Sequence, residues 1–312
     1  MFLESNVVAS EAKQSQLVDS VYILSHFHTF TLSHLLLRRN QLSHTSDHPI
    51  GVFDSGIGGL TVAAALRDRL PAEDIIYLGD TARVPYGTKS VETVNRYALE
   101  STLFLLNLGV KLIVVACNTA SAVALPRLQE VLRAPIIGVV EPGVNAALRA
   151  TKTKQVGIIG TPSTINSGAY QNRLKKLAPN IEVYGKPCPL LVPLCEEGRL
   201  DGQIVKLVLE DYLKQIKRKG VDTLILGCTH YPLLKPAIAD VMGADTLLVD
   251  SAQTTAEVVE ESLLREGLLR THGPGTIKCY ITDKSKQFNK LGKRFFGQSL
   301  GQVVKAQLNE SS

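Results

Sequence analysis

From position 49 onward the apolar positions follow two alternating patterns. Short, mostly apolar strand-like runs occur at 50–53, 74–78, 112–116, 136–140, 155–159, 182–184, 223–226 and 246–249. Their length and β-branched content predict strands buried on both faces. Between them lie longer stretches with apolar residues at three- and four-residue spacing, at 91–108, 122–131, 167–177 and 203–219. Strands alternating with amphipathic helices predict βαβ units and a mainly parallel sheet, an α/β fold. Small and polar residues follow the apolar runs: Asp54-Ser55-Gly56, Gly79-Asp80-Thr81, Cys117-Asn118-Thr119, Gly160-Thr161-Pro162 and Gly227-Cys228-Thr229. Open α/β sheets bind ligands at the carboxyl ends of their strands, so a site is expected at these loops.

One pattern occurs twice. An apolar run ends in Cys117 followed by Asn118-Thr119, and another ends in Cys228 followed by Thr229-His230. The segments GVFDSG (51–56) and GIIGTP (157–162), which open the two halves, are weak echoes of each other. Two pseudo-symmetric α/β domains facing each other would bring both thiols into one cleft. A thiol on either side of one carbon suits a reaction that removes a proton from one face and returns it on the other. A single Cys at a strand end reads as a small buried residue; two in matched contexts favour a site. Only the thiolate is a useful base, and a helix N-terminus after each thiol is expected to lower its pKa.

Bulk properties narrow the class. The chain has 312 residues, 45% hydrophobic and 20% charged, enough for about two domains with cores of their own. The net charge is +5 with scattered Lys and Arg, and the cluster 214–219 reads as a solvated helix end. No basic face emerges, which argues against nucleic acid as a partner. No run spans a bilayer, which argues against a membrane partner. The five cysteines show no disulfide framework or metal knuckle and read as thiols of a reducing, cytoplasmic compartment. Residues 1–48 hold five of the seven histidines and differ in composition from the rest. They are read as a loosely attached, disordered extension or the product of a misassigned start. His26 and His28 lack companion ligands, so no metal is expected there.

Asp54 and His230 are candidate acid/base partners of the thiols. Asp54 and Ser55 also fit helix capping, and His230 a structural histidine. Glu196 and Glu197 fit the start of a helix. The run Gly56-Ile57-Gly58-Gly59-Leu60-Thr61 lacks the third glycine of a dinucleotide fingerprint and reads as a tight turn near a small carboxylate.

These motifs together resemble glutamate racemase. The matching segments are GVFDSGIGGL (51–60), GDTARVPYG (79–87), VVACNTA (114–120), GVVEP (138–142), GTP (160–162), CPLLVPLCEE (188–197), LGCTHYP (226–232) and LVDS (248–251). The resemblance runs from about 49 to near the C-terminus. It implies cofactor-independent interconversion of L- and D-glutamate, supplying D-glutamate for peptidoglycan. It implies Cys117 as the base for the D-enantiomer and Cys228 for the L-enantiomer, with Asp54 supporting Cys117, and His230 and Glu196 supporting Cys228. Alignment of the LVPL-x-E pattern selects Glu196, with Glu197 adjacent. Asp54, Ser55, Tyr86, Gly87, Asn118, Thr119, Thr229 and His230 would bind substrate, and Thr161 is a further candidate. The implied architecture is two α/β domains, 49–144 plus 253–312 and 145–252, with the site between them. Homodimers are common in the family. The rival readings are a racemase of a related substrate such as aspartate, a redox dithiol protein, and a binding protein without turnover.

Overall fold

The computed structural model describes residues 45–283 and 288–308. The extension at 1–44, with its histidine pair, lies outside the described residues.

Ten strands form two sheets, and every strand pair in both is parallel. The first sheet contains β1 (Ile50–Asp54), β2 (Ile75–Gly79), β3 (Leu112–Val115), β4 (Ile136–Gly138), β9 (Ile277–Ile281) and β10 (Val303–Lys305), in the order β10-β9-β2-β1-β3-β4. The second contains β5 (Gln155–Gly160), β6 (Glu182–Pro187), β7 (Thr223–Gly227) and β8 (Leu247–Asp250), in the order β6-β5-β7-β8. The arrangement β2-β1-β3-β4 recurs as β6-β5-β7-β8, so the echo in the sequence is an echo of topology. In each half the strand order reverses beside the opening strand, between β1 and β3 and between β5 and β7. Such switch points leave a crevice above the strand ends. Cys117 follows β3 and Cys228 follows β7, the equivalent strand in each half.

The central strands are mostly apolar because both faces are covered. Every residue of β1, β3 and β7 is buried. One hydrophobic cluster runs from Val52, Leu60 and Leu112 of the first half to Leu209, Leu224 and Leu226 of the second. Helix α1 (Leu60–Arg69) packs on a late helix (Ser251–Arg265), which also packs on the helix Val140–Ala150. The late helix follows β8 and returns the chain to the first sheet, where β9 and β10 complete one edge.

Several elements differ from the pattern-based expectation. The run 136–140 is a strand only to Gly138; Val140 already begins a helix. The stretch expected as a helix from 122 starts earlier, at Asn118, and breaks at Ala124 into two helices, Asn118–Val123 and Leu125–Val131. A proline at the second residue of the latter accounts for its fresh start, since Pro is best tolerated in a helix's first turn. β9 and β10 were not anticipated: β9 alternates exposure with burial and β10 has three residues, so neither forms an unbroken apolar run. Among the described residues, no helix is long and apolar enough to cross a membrane.

A buried ion pair secures the end of the first sheet remote from the cysteines. Lys111 and Glu73 are 0% and 1% exposed at their side chains, with Nζ 2.6 Å from Oε2. Lys111 also donates to the carbonyls of Ser46 (2.6 Å) and Leu268 (2.9 Å). Glu73 accepts from the Arg270 backbone N–H at 2.9 Å. Removing one partner strands a desolvated charge, so Lys111→Met is expected to lower unfolding stability by about 3–5 kcal/mol. Lys111→Met/Glu73→Gln should regain part of that. Urea unfolding measures both; a single variant as stable as the parent would show that the pair carries no such weight.

Candidate active site

β1 ends in Asp54, which is 1% exposed. Its Oδ2 accepts the Gly56 N–H at 2.9 Å, holding the chain in a tight turn. The glycines that follow permit close approach. A Cβ on Gly59 would lie 2.4 Å from the Asp54 Cβ. One on Gly58 would lie 2.3 Å from Thr229 Oγ1 and 2.5 Å from His230 Nδ1. The glycine turn of the first half therefore rests directly on the Cys228 loop of the second. Two hydrogen bonds bind the same seam: Thr61 Oγ1 donates to the Thr229 carbonyl at 3.1 Å, and Thr229 Oγ1 to Asp54 Oδ1 at 3.4 Å.

Both thiols sit at this seam, and both are almost wholly buried. Cys117 Sγ lies 3.5 Å from Ser55 Oγ. Cys228 Sγ lies 3.9 Å from His230 Nδ1, and the far side of the same imidazole, Nε2, is 3.0 Å from Glu196 Oε1. Glu196, at the end of the helix Leu191–Glu196, is thus the acid that reaches His230. The Phe295 ring packs T-shaped with the imidazole, their centroids 5.1 Å apart.

The expected fall in thiol pKa does not occur. Burial, with the Asp54 charge adding to it, pushes the Cys117 thiol up to about 11, even though Ala120 N–H and Ser55 favour the thiolate. Burial raises Cys228 well above the ordinary thiol value, opposed by the His230 backbone N–H and reinforced by the charges of Cys117 and Asp54. Desolvation also raises Asp54, against the pull of His230. Cys117 caps a helix of only six residues, and Cys228 is followed by a 3-10 turn (Tyr231–Leu234). These give too few aligned dipoles to offset desolvation. Thiolate-dependent alkylation of Cys117 in the ligand-free protein should therefore rise about tenfold per pH unit from 7 to 10. Peptide mapping after timed iodoacetamide treatment reads this; a plateau near pH 7 would contradict the raised value.

The other anticipated residues fall into two groups. Thr119 joins a hydroxyl cluster across the seam, with Oγ1 2.9 Å from Thr161 Oγ1 and 3.1 Å from Thr164 Oγ1. Gly87 closes on the same cluster, since a Cβ there would lie 2.7 Å from the Thr161 Cβ. Tyr86, by contrast, donates its hydroxyl to Asp80. Asp80 is also held by Arg83 at 2.7 Å and by Thr282 at 2.9 Å, and Arg83 reaches on to Glu100. The Tyr86 hydroxyl is thus engaged in supporting its loop, while the neighbouring Gly87 packs on Thr161. Asn118 donates from Nδ2 to the Tyr170 hydroxyl at 2.7 Å. Tyr170, Thr164 and Thr61 also lie at this seam, and sequence reasoning did not single them out. Tyr170 lies within a helix, Ala169–Leu177, where an aromatic at helical spacing reads as core. The LVDS segment did contain Ser251, whose Oγ is 3.4 Å from the Tyr170 hydroxyl.

All five cysteines are free thiols. Among the described residues, no group of three or more His, Cys, Asp or Glu side chains is arranged to hold a metal ion.

Comparison with known proteins finds relatives over most of the chain. The family model for Asp/Glu/hydantoin racemases matches residues 60–259. A glutamate racemase from Syntrophus aciditrophicus is 49% identical over 262 residues, covering 84% of this chain and 97% of the relative. The crystal structure of glutamate racemase from Francisella tularensis in complex with D-glutamate superposes with a TM-score of 0.81 at 42% identity, covering 85% of this chain and 99% of that one. A glutamate racemase isoform from Bacillus anthracis superposes with a TM-score of 0.82 at 38% identity, covering 84% and 98%.

Proposed function

Since this chain belongs to the Asp/Glu/hydantoin racemase family, we propose that it interconverts L- and D-glutamate by two-base proton transfer without a cofactor. The observation that carries this reading is the pair of buried thiols at equivalent strand ends of the two halves, close enough that a charge on Cys117 raises the Cys228 pKa, with Asp54 felt by both. Relatives near 50% identity over most of the chain are glutamate racemases, which supports glutamate over aspartate.

The chemistry follows from the positions. Cys228 as thiolate takes the α-proton of L-glutamate, and Cys117 as thiol returns a proton to the opposite face; the reverse reaction exchanges the roles. The α-proton is a very weak acid, so the base must be aligned and desolvated. Burial supplies the desolvation but holds both thiols neutral at pH 7 on their own. The ammonium of the bound amino acid is the compensating charge: a cation beside a thiol favours the thiolate. His230, oriented by Glu196, accepts the Cys228 proton and stabilises the thiolate. Asp54 and Ser55 serve Cys117 in the equivalent way, Ser55 through its hydroxyl contact with the sulfur. The backbone N–H groups of Asn118, Thr229 and residues 86–87, with the Thr119 hydroxyl, supply donors for the carboxylates, whose charge grows as the α-carbon loses its proton. The two thiols start in opposite protonation states, so a pH–rate profile reports the pair.

Such an enzyme supplies D-glutamate for peptidoglycan in the cytoplasm, acting on a small molecule and on neither nucleic acid nor membrane. The test is racemisation of L-glutamate in deuterium oxide without added cofactor, with deuterium appearing at the α-carbon of the product. Inertness toward glutamate with exchange of aspartate would move the substrate assignment. No exchange with any amino acid would end the racemase reading.

A further inference from the structure

Tyr170 has no exposed surface, yet it comes from the second half and bonds to Asn118 of the first. Its ring is wedged between two glycines. A Cβ on Gly143 would lie 3.4 Å from the ring, and one on Gly227, the residue before Cys228, would lie 3.5 Å from it. The hydroxyl accepts from Asn118 Nδ2 at 2.7 Å and shares a longer contact, 3.4 Å, with Ser251 Oγ. Burial keeps this phenol protonated, with its pKa raised to about 12, so it is a neutral hydrogen-bonding group throughout the working pH range.

This arrangement commits one end of the Asn118 amide. Nδ2 is spent on Tyr170, while Oδ1 is buried and has no hydrogen-bond partner among the described residues. Asn118 itself is 3% exposed. It lines a small pocket shared with Cys228, Thr229 and Ser251. A buried carbonyl oxygen accepts and never donates. Its complement at this site is a donor, and the ammonium is the one strong donor of a glutamate whose two carboxylates only accept.

We propose that Tyr170 is a positioning residue that sets the orientation of the Asn118 amide, so that its carbonyl oxygen receives the ammonium group of the amino-acid substrate. The proposal rests on the racemase reading above. It divides recognition in two: hydroxyls and backbone N–H groups hold the carboxylates, while the Tyr170–Asn118 pair recognises the amino group and holds that cation beside the thiols it must activate.

The test compares glutamate with glutarate, which keeps both carboxylates and lacks the ammonium. In Tyr170→Phe, KM for both glutamate enantiomers should rise about tenfold from loss of one ordering hydrogen bond, and inhibition by glutarate should stay within about twofold. Asn118→Ala should show the same split, more strongly. Tyr170→Phe/Asn118→Ala should be no worse than Asn118→Ala alone, because Tyr170 acts through Asn118. Equal weakening of glutamate and glutarate, additive losses in the double variant, or an unmoved KM would overturn the proposal while leaving the racemase reading intact. A wild-type protein that does not racemise glutamate would overturn both. If Tyr170→Phe fails to fold, the Asn118→Ala comparison still decides, since equal loss of both ligands there refutes the ammonium contact.

Discussion

Cys117→Ala and Cys228→Ala are each expected to lower racemisation by at least about 10³-fold, because inversion needs a base on one face and an acid on the other. The more informative expectation is what each variant retains. Cys117→Ala keeps the thiol that faces L-glutamate, with His230 at 3.9 Å to receive its proton. Removal and return on the same face then remain open. L-glutamate incubated with Cys117→Ala in deuterium oxide should gain α-deuterium without inversion, and D-glutamate should not. Cys228→Ala should show the mirror image. The two thiols are buried at 5% and 6% exposure, so neither is readily replaced by solvent acting as base. NMR of recovered substrate, resolved by enantiomer, reads the exchange. Inversion surviving in either variant would remove that thiol from the mechanism.

His230→Ala is expected to reduce kcat/KM by about 10²–10³-fold, the range for a positioned proton-transfer group. His230 touches Cys228 and Glu196, so the loss falls on one of the two proton transfers. It nevertheless lowers kcat/KM equally in both directions, because enantiomers have equal free energy and their ratio of specificity constants must remain one. The asymmetry appears instead in isotope effects. With Cys228 impaired, its transfer becomes the slower step, so α-deuterated L-glutamate should show a larger effect than α-deuterated D-glutamate. Glu196→Gln should give a weaker version of the same asymmetry, since it loosens the imidazole without removing it. Equal isotope effects for the two enantiomers would place His230 outside the Cys228 step.

The sequence alone determined the parallel α/β architecture and marked the loops where the candidate site lies. Short, mostly apolar runs such as 112–116 and 223–226 have few other uses than strands covered on both faces. Polar and glycine residues directly after such runs mark the loops where parallel sheets bind ligands. The duplicated strand-Cys-polar pattern is local in sequence, and so are its partners Asp54, Ser55, Asn118, Thr119, Thr229 and His230, each beside a strand end. Resemblance added Glu196, which the helix Leu191–Glu196 delivers to His230 across a sequence gap that no local pattern records.

Tertiary structure decided everything that depends on two segments meeting. The packing of Gly58 on Thr229 and His230 joins residues far apart in the chain, so the glycine run reads as a turn in sequence and as a seam in space. The thiol pKa values turned on burial: the sequence shows a strand feeding a helix, but the depth of desolvation is set by the opposing half, and desolvation exceeded the short helix's dipoles. Tyr170 is legible as core and nothing more until its hydroxyl is seen against Asn118. The edge strands β9 and β10 depend on neighbours for their hydrogen bonds and carry too little apolar sequence to announce themselves. Local periodicity encodes elements and the ends where ligands bind, because both follow from one segment's own burial. Which ends face each other, and how dry the space between them is, are properties of the pair, and only the folded chain holds them.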